Sequence, residues 1–206
     1  MHTFVLATRN AGKIVEFRTL LSRFGEMEIM GLDSFPDLPE IEETGATFAE
    51  NALIKAQAVA KATGCLALAD DSGLEVDALG GAPGVYSARY SAEPGHVATD
   101  RRNNEKLLNE LSAVPDACRT ARFICAIAAC LPDGRHMLAE GVWAGIIGWE
   151  AKGANGFGYD PLFTDPETGL RAAELTPAEK NVRSHRARAV KELARQWPEF
   201  MRQCRA

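Results

Sequence analysis

Asp70 and Asp71 stand side by side at the end of the apolar run Cys65-Leu66-Ala67-Leu68-Ala69 and are followed by Ser72 and Gly73. A short continuous apolar stretch of this kind predicts a strand covered on both faces, and ligands of open α/β sheets collect beyond the carboxyl ends of such strands. The two acids are therefore expected at a sheet edge, facing a crevice. Adjacent ionised carboxylates repel each other, and a hard divalent cation such as Mg²⁺ relieves that repulsion better than zinc, which prefers softer donors. The same four residues also read as an ordinary turn after a strand.

Four further segments carry groups that could act with these acids. Thr8-Arg9-Asn10-Ala11-Gly12-Lys13 follows an apolar strand, Thr3 to Ala7, and opens a helix marked by Ile14, Phe17, Leu20 and Leu21. Backbone amides at a helix start, together with Lys13, can grip phosphate. The loop is not a Walker A sequence: Ala7 stands where glycine is needed and Ile14 where a hydroxyl is needed, so an ordinary polar turn remains the alternative. Asn51 and Lys55 are four residues apart and share a helix face, aimed at the crevice or simply solvated. Phe157-Gly158-Tyr159-Asp160-Pro161 sets aromatics among glycines, which reads as base stacking or as an aromatic turn. Lys180, His185 and Arg186 form a basic cluster at the start of the last helix, which faces a ligand or water. Separate donor segments, one aromatic segment and one acidic segment are what a nucleotide-plus-metal site requires.

The elements that must position these groups follow from periodicity and punctuation. Glu28 to Met30 is a second strand, and Asp33 to Glu40, with Pro36 and Pro39, is a loop ending in the acidic Glu40-Ile41-Glu42-Glu43. Thr47-Phe48-Ala49-Glu50 has the form of a capping box, and the alanine-rich helix it opens ends at Gly64. Gly80 to Tyr90 is a glycine-rich loop and Thr99 to Leu111 a helix. Ala121 to Leu131 and His136 to Trp143 flank the turn Pro132-Asp133-Gly134 as a hairpin, which Gly145 to Glu150 extends. Thr176-Pro177-Ala178-Glu179 supplies an N-cap, an N1 proline and an N3 glutamate ahead of the amphipathic positions Ala187, Val190, Leu193 and Trp197. The first third is thus βαβ-like and the middle third antiparallel.

Bulk properties narrow the partners. A chain of 206 residues, 46% hydrophobic and 25% charged, is expected to form one α/β domain over residues 1–206. A formal net charge of −5 disfavours a nucleic-acid duplex or an anionic membrane as partner. The N-terminus lacks a basic segment followed by a long apolar one, and no run approaches the ~20 residues of a spanning helix, so a cytoplasmic protein is expected. Cys65, Cys118, Cys125, Cys130 and Cys204 include no C-x-x-C pair, and core packing of three of them is the expectation.

Taken in order, Thr8-Arg9-Asn10-x-Gly12-Lys13, Glu42-Glu43-Thr44-Gly45-x-Thr47-Phe48-x-Glu50-Asn51-Ala52, Ala69-Asp70-Asp71-Ser72-Gly73-Leu74, Gly80-Gly81-Ala82-Pro83-Gly84-Val85-Tyr86-Ser87-Ala88-Arg89, Gly156-Phe157-Gly158-Tyr159-Asp160-Pro161 and Ser184-His185-Arg186 resemble the noncanonical purine NTP pyrophosphatases, the inosine/xanthosine triphosphate pyrophosphatases that cleanse nucleotide pools. The resemblance spans nearly the whole chain. It implies an elongated, two-lobed α/β fold around a long mixed β-sheet with flanking helices, an active-site cleft between the lobes, and a homodimer. It also implies hydrolysis of ITP, dITP and XTP to the monophosphate and pyrophosphate by Mg²⁺-assisted attack of water at the α-phosphorus.

Carried over by motif position, Asp71 is the base for the attacking water and a metal ligand, Asp70 assists at the metal, and Glu42 rather than its neighbour Glu43 is the second metal ligand. Thr8, Arg9, Asn10, Ala11, Gly12 and Lys13 bind the triphosphate, Lys13 and Lys55 neutralise phosphate charge, and Ser72 donates to a phosphate or ribose oxygen. Phe157, Gly158, Tyr159 and Asp160 wall the base pocket, while Lys180, His185 and Arg186 donate to purine oxygens. Other readings are a pyrophosphatase for modified pyrimidine nucleotides, a phospho-acceptor module of the receiver kind, and a non-catalytic nucleotide-binding protein.

Overall fold

A computed structural model of the chain describes residues 2–9, 14–15, 17–19 and 27–203. Its strands are β1 (His2–Leu6), β2 (Met27–Gly31), β3 (Leu66–Val76), β4 (Thr120–Cys130), β5 (His136–Ile147) and β6 (Phe163–Thr164), in the sheet order β2-β1-β3-β4-β5-β6. β1 pairs in parallel with β2 and with β3, and β5 pairs antiparallel with β6, so the sheet is mixed. Parallel neighbours need a long crossover, and between β1 and β3 the chain includes the helix α1 (Phe48–Thr63). The connection from β4 to β5 is instead the short turn 131–135, closed by hydrogen bonds from Gly134 N to Leu131 O and from Leu131 N to Arg135 O.

Three helices start where the sequence supplies an acceptor for their orphan amides. The Thr47 side chain accepts from Glu50 N at the start of α1, and Gly64 closes that helix at φ 67°, a left-handed conformation that glycine adopts without a Cβ clash. Thr99 caps α2 (Asp100–Glu110) by accepting from Arg102 N. Thr176 and Glu179 complete a reciprocal capping box at α3 (Pro177–Arg183), and α4 (His185–Gln203) follows. Residues 14, 15 and 17–19 are helical, as the spacing of Ile14 and Phe17 predicts; Leu20 and Leu21 lie outside the described residues.

The chain divides into two compact units, the first comprising 1–71, 125–141 and 186–206 and the second 72–124 and 142–185. The first has a core built on Phe4, Leu6, Phe17, Leu68, Ile127 and Leu193. The second has its own, built on Leu74, Leu107, Phe123, Trp143, Phe163 and Leu175.

Three expectations change. Asp70 and Asp71 do not lie beyond a strand end or at a sheet edge: β3 continues through them to Val76 and is an interior strand of the sheet. The physical reason is that apolar burial resumes with Leu74 and Val76, both fully buried, so the acids occupy the middle of one long strand. The basic residues at the C-terminal end do not share one helix, because Ser184 takes an extended conformation (ψ 157°) that separates α3 from α4. Of the cysteines, Cys125 and Cys130 are buried as core residues, whereas Cys65 is half-buried and Cys118 exposed; Cys204 lies outside the described residues. Among the described residues, no helix is long and apolar enough to cross a membrane.

Candidate active site

In the first unit the β3 acids are gripped by side chains from α1, the helix before them in sequence, and from α4 at the C-terminal end. Asn51, one helical turn before Lys55 on α1, is fully buried and donates through Nδ2 to Asp71 Oδ2 at 3.3 Å. Lys55 Nζ reaches Asp71 Oδ1 at 3.2 Å and Glu43 Oε1 at 2.7 Å. The orientation of the Asn51 amide is fixed from its other end, where Oδ1 accepts from Gly45 N at 2.7 Å. A Cβ at Gly45 would stand 2.6 Å from Glu50 Cβ and 2.7 Å from Asn51 Oδ1, so only glycine lets the acidic loop approach the helix this closely. Burial alone would lower the Lys55 pKa, but the charges and hydrogen bonds of Asp71, Glu43 and Asp70 outweigh it and hold the ammonium above its ordinary value.

Asp70 faces a different partner. Its Oδ2 lies 3.6 Å from Arg186 Nη2, and both side chains are almost completely buried. The Arg186 guanidinium also lies over the Phe17 ring, 5.8 Å from its centroid. A buried ion pair of this kind is costly to break by removing one member, because the other is left charged without water.

The second unit holds the aromatic segment. Gly156, at φ 77°, precedes Phe157, and a Cβ there would collide with Asp160 Oδ2 at 2.0 Å. That oxygen accepts from Phe157 N at 2.9 Å and pairs with Lys180 Nζ, whose ammonium also lies 5.3 Å from the centroid of the Phe157 ring. Gly158 is held by α2: its N–H donates to Asp100 Oδ2 at 2.7 Å and its carbonyl accepts from Asn104 Nδ2 at 3.0 Å. Tyr159 is buried in the core of this unit and donates its hydroxyl to Ser87 O at 2.8 Å, and burial pushes that phenol well above its ordinary pKa. His185 is buried and stacked on Phe123, with 4.8 Å between ring centroids.

These contacts sort the expected residues. Asp71 and Lys55 come together, as do Phe157, Gly158, Asp160 and Lys180. Ser72 lies on β3, two residues after Asp70. Thr8 and Arg9 follow β1, and the Arg9 guanidinium donates to Leu38 O at 3.0 Å; Asn10, Ala11, Gly12 and Lys13 lie outside the described residues. Arg186 is paired with Asp70. Tyr159 presents no open ring, whereas Phe157 keeps 39% of its surface exposed. Of the two adjacent glutamates, Glu43 is the one that contacts Lys55, while Glu42 is exposed. The residue sequence reasoning underweighted is Asn51, whose signal was its i, i+4 relation to Lys55.

The donor set suits a hard cation. Among the described residues there is no group of three or more His, Cys, Asp or Glu side chains able to enclose a metal. Mg²⁺ does not need such a cage, since it is commonly bound through one or two carboxylates, waters and substrate phosphates. A carboxylate on β3 beside a paired glutamate and a lysine meets that requirement.

An interior strand carrying buried, ion-paired aspartates, with a lysine and an amide from the crossover helix committed to one of them, defines an α/β protein with an acidic site within its sheet. The Ham1 family model matches residues 4–196, and the chain belongs to that family. It is 59% identical over 204 residues to the dITP/XTP pyrophosphatase of Nitratidesulfovibrio vulgaris, covering 97% of this chain and 98% of that protein. It is 50% identical to the dITP/XTP pyrophosphatase of Streptococcus agalactiae, where the match covers 96% of this chain and only 60% of the longer streptococcal protein. Among solved structures, a HAM1 protein from Coxiella burnetii superposes with a TM-score of 0.87 at 45% identity, covering 97% of this chain and 100% of that one.

Proposed function

We propose that this chain is a nucleoside-triphosphate pyrophosphatase that hydrolyses noncanonical purine nucleotides, dITP, XTP and ITP, to the monophosphate and pyrophosphate. The observation that carries the reading is Asp71, a buried carboxylate with Lys55 on one oxygen and Asn51 on the other. A carboxylate fixed in this way accepts a proton from water aimed at the α-phosphorus, with the Asn51 amide keeping it oriented. Lys55, and Lys13, which follows β1 in the sequence, place positive charge where phosphate oxygens gain negative charge in the transition state. Asp71 and Glu42 would hold Mg²⁺, which supplies further positive charge to the phosphate oxygens. Thr8 to Lys13 and Ser72 bind the phosphates and ribose.

Recognition of the base falls to Phe157, Lys180 and their neighbours. Phe157 offers a ring for stacking and Lys180, steadied by Asp160, donates to O6 of hypoxanthine or xanthine, with His185 beside Phe123 on the same α3–α4 segment. Adenine carries a donor at that position, so the lysine meets a second donor in place of an acceptor, and a polar site rejects such a mismatch by up to ~10⁴–10⁵. The native assembly proposed is a homodimer, which light scattering after gel filtration tests.

The deciding experiment compares pyrophosphate release from ITP and ATP, each with Mg²⁺ or EDTA, in wild type and Asp71→Asn. Metal-dependent release from ITP that the variant abolishes is the expected result. Equal rates on ATP overturn the base assignment, and no pyrophosphate from either nucleotide overturns the activity.

A further inference from the structure

We propose that the first turns of α2 are part of the base-reading device, with Asp100 and Asn104 as positioning residues that set the Phe157 ring for stacking on the purine. The inference rests on the function proposed above and adds to it two residues on a different helix.

The argument starts from the backbone around Phe157. Its own N–H donates to Asp160 Oδ2 at 2.9 Å, the next N–H, of Gly158, donates to Asp100 Oδ2 at 2.7 Å, and the Gly158 carbonyl accepts from Asn104 Nδ2 at 3.0 Å. Phe157 is thus tied by an ionised acceptor on each side, the stronger class of hydrogen bond. The residue remains 39% exposed, so burial alone does not explain why the loop is held so firmly.

Asp100 has an independent reason to sit where it does, since a carboxylate in the first turn of a helix is favoured by the helix dipole. Asn104 has none. Asparagine is a poor residue for a helix interior, and the Oδ1 of Asn104 is buried without a partner among the described residues. Buried polar atoms are almost always satisfied, and an exception calls for an explanation. The explanation here is the other end of the amide: the side chain is retained for its bond to Gly158 O at the expense of a stranded acceptor. Asn103, the preceding residue, is fully satisfied by comparison, bonding Ser91 N and Oγ and the carbonyls of Ser87 and Ala88.

This predicts opposite signs for stability and binding. Asn104→Leu keeps the size of the side chain and removes the stranded acceptor, so its melting temperature is expected to equal or exceed that of wild type while nucleotide binding weakens. A residue with a merely structural role would lower both or neither.

The test is the Kd of the intact protein for ITP in EDTA by titration calorimetry, read for wild type, Asp100→Ala, Asp100→Asn, Asn104→Leu, Phe157→Ala and the double variants with Phe157→Ala. Because aromatic stacking on a base is worth one to a few kcal/mol, Asp100→Ala and Asn104→Leu are expected to weaken binding about five- to tenfold. Asp100→Asn still offers an oxygen acceptor to Gly158 N–H and is expected to stay within about twofold of wild type. In the Phe157→Ala background the same α2 substitutions are expected to add less than about twofold, the signature of residues that act through one another. An unchanged Kd in both α2 variants, or an equal loss with and without Phe157, overturns the proposal. ITP binding without pyrophosphate release overturns the hydrolytic function alone, since the cycle is read on binding; no ITP binding at all overturns both.

Discussion

The two units hold their functional side chains by different means. In the first, Asp70 and Asp71 are residues of a long interior strand, and what holds them is charge and amide hydrogen bonding: Lys55, Asn51 and Arg186 reach them from α1 and α4. In the second, Phe157 and Asp160 stand on a loop, and what holds them is backbone clamping by Asp100, Asn104 and the loop's own Asp160. The strand needs no help to keep its backbone in place, so its partners are free to tune charge. The loop has no ladder of its own, so side chains must supply the hydrogen bonds that a ladder would. Substitutions in the first unit should therefore change chemistry at constant geometry, and substitutions in the second should change geometry first.

The sharpest way to break that contrast is Asp71→Asn. It keeps shape and can still meet Asn51, but it removes the base, so pyrophosphate release from ITP is expected to fall by about 10²–10⁴ with the fold unaltered by circular dichroism. An unfolded variant would show that the strand depends on its charges after all. Next in size is Lys180→Met, which strands a buried Asp160 carboxylate and is expected to cost about 3 kcal/mol in denaturant unfolding. Preference for ITP over ATP should narrow in parallel. A stable Lys180→Met protein with full discrimination would remove the pair from the recognition account.

Gly45→Ala sits between the two cases, because it moves backbone in the charge-tuned unit. Its methyl group would press on Glu50 Cβ and on Asn51 Oδ1, and overpacking of this kind costs about 1–3 kcal/mol. Since the displaced atom is the one that orients Asn51 toward Asp71, turnover is expected to fall more than ITP affinity. A loss confined to KM would place Gly45 with the binding residues instead.

How much of this could be read from the sequence follows the same division. The Thr47 cap, the Gly64 stop and the Thr176-Pro177-Ala178-Glu179 start are local signals, and each element began or ended where they said. The Asn51 and Lys55 pairing was legible because helical spacing fixes a face. Three things were not. That β3 runs through Asp70 and Asp71 depends on burial at Leu74 and Val76, a tertiary property. That Arg186 pairs with Asp70 joins β3 to α4, which lie far apart in the sequence, so no local pattern carries it. That α2 clamps the Phe157 loop is a contact across more than fifty residues, from Asp100 to Gly158, and no local pattern announces it.

The smallest effect is a pH dependence carried by Lys55. Its pKa is raised in the folded chain above the value of 10.5 that it has when unperturbed, chiefly through Asp71 and Glu43, which overcome the cost of burial. A raised pKa means that the folded state holds the proton more tightly than the unfolded state, so the stabilisation is fully present below pH 10.5 and is lost as pH rises through the folded-state value. From pH 7 to 9 the contribution should be flat. Lys55→Met lacks it altogether and also takes away the ammonium that Asp71 and Glu43 share, so its melting temperature should lie below that of wild type in the neutral range. Contributions common to both proteins cancel in the difference between the two melting curves, which is the quantity to follow. That difference is expected to shrink above pH 10.5. A gap that stays constant to pH 12 would mean that Lys55 contributes through packing of its stem and not through its charge, and the charge-based account of the first unit would fall.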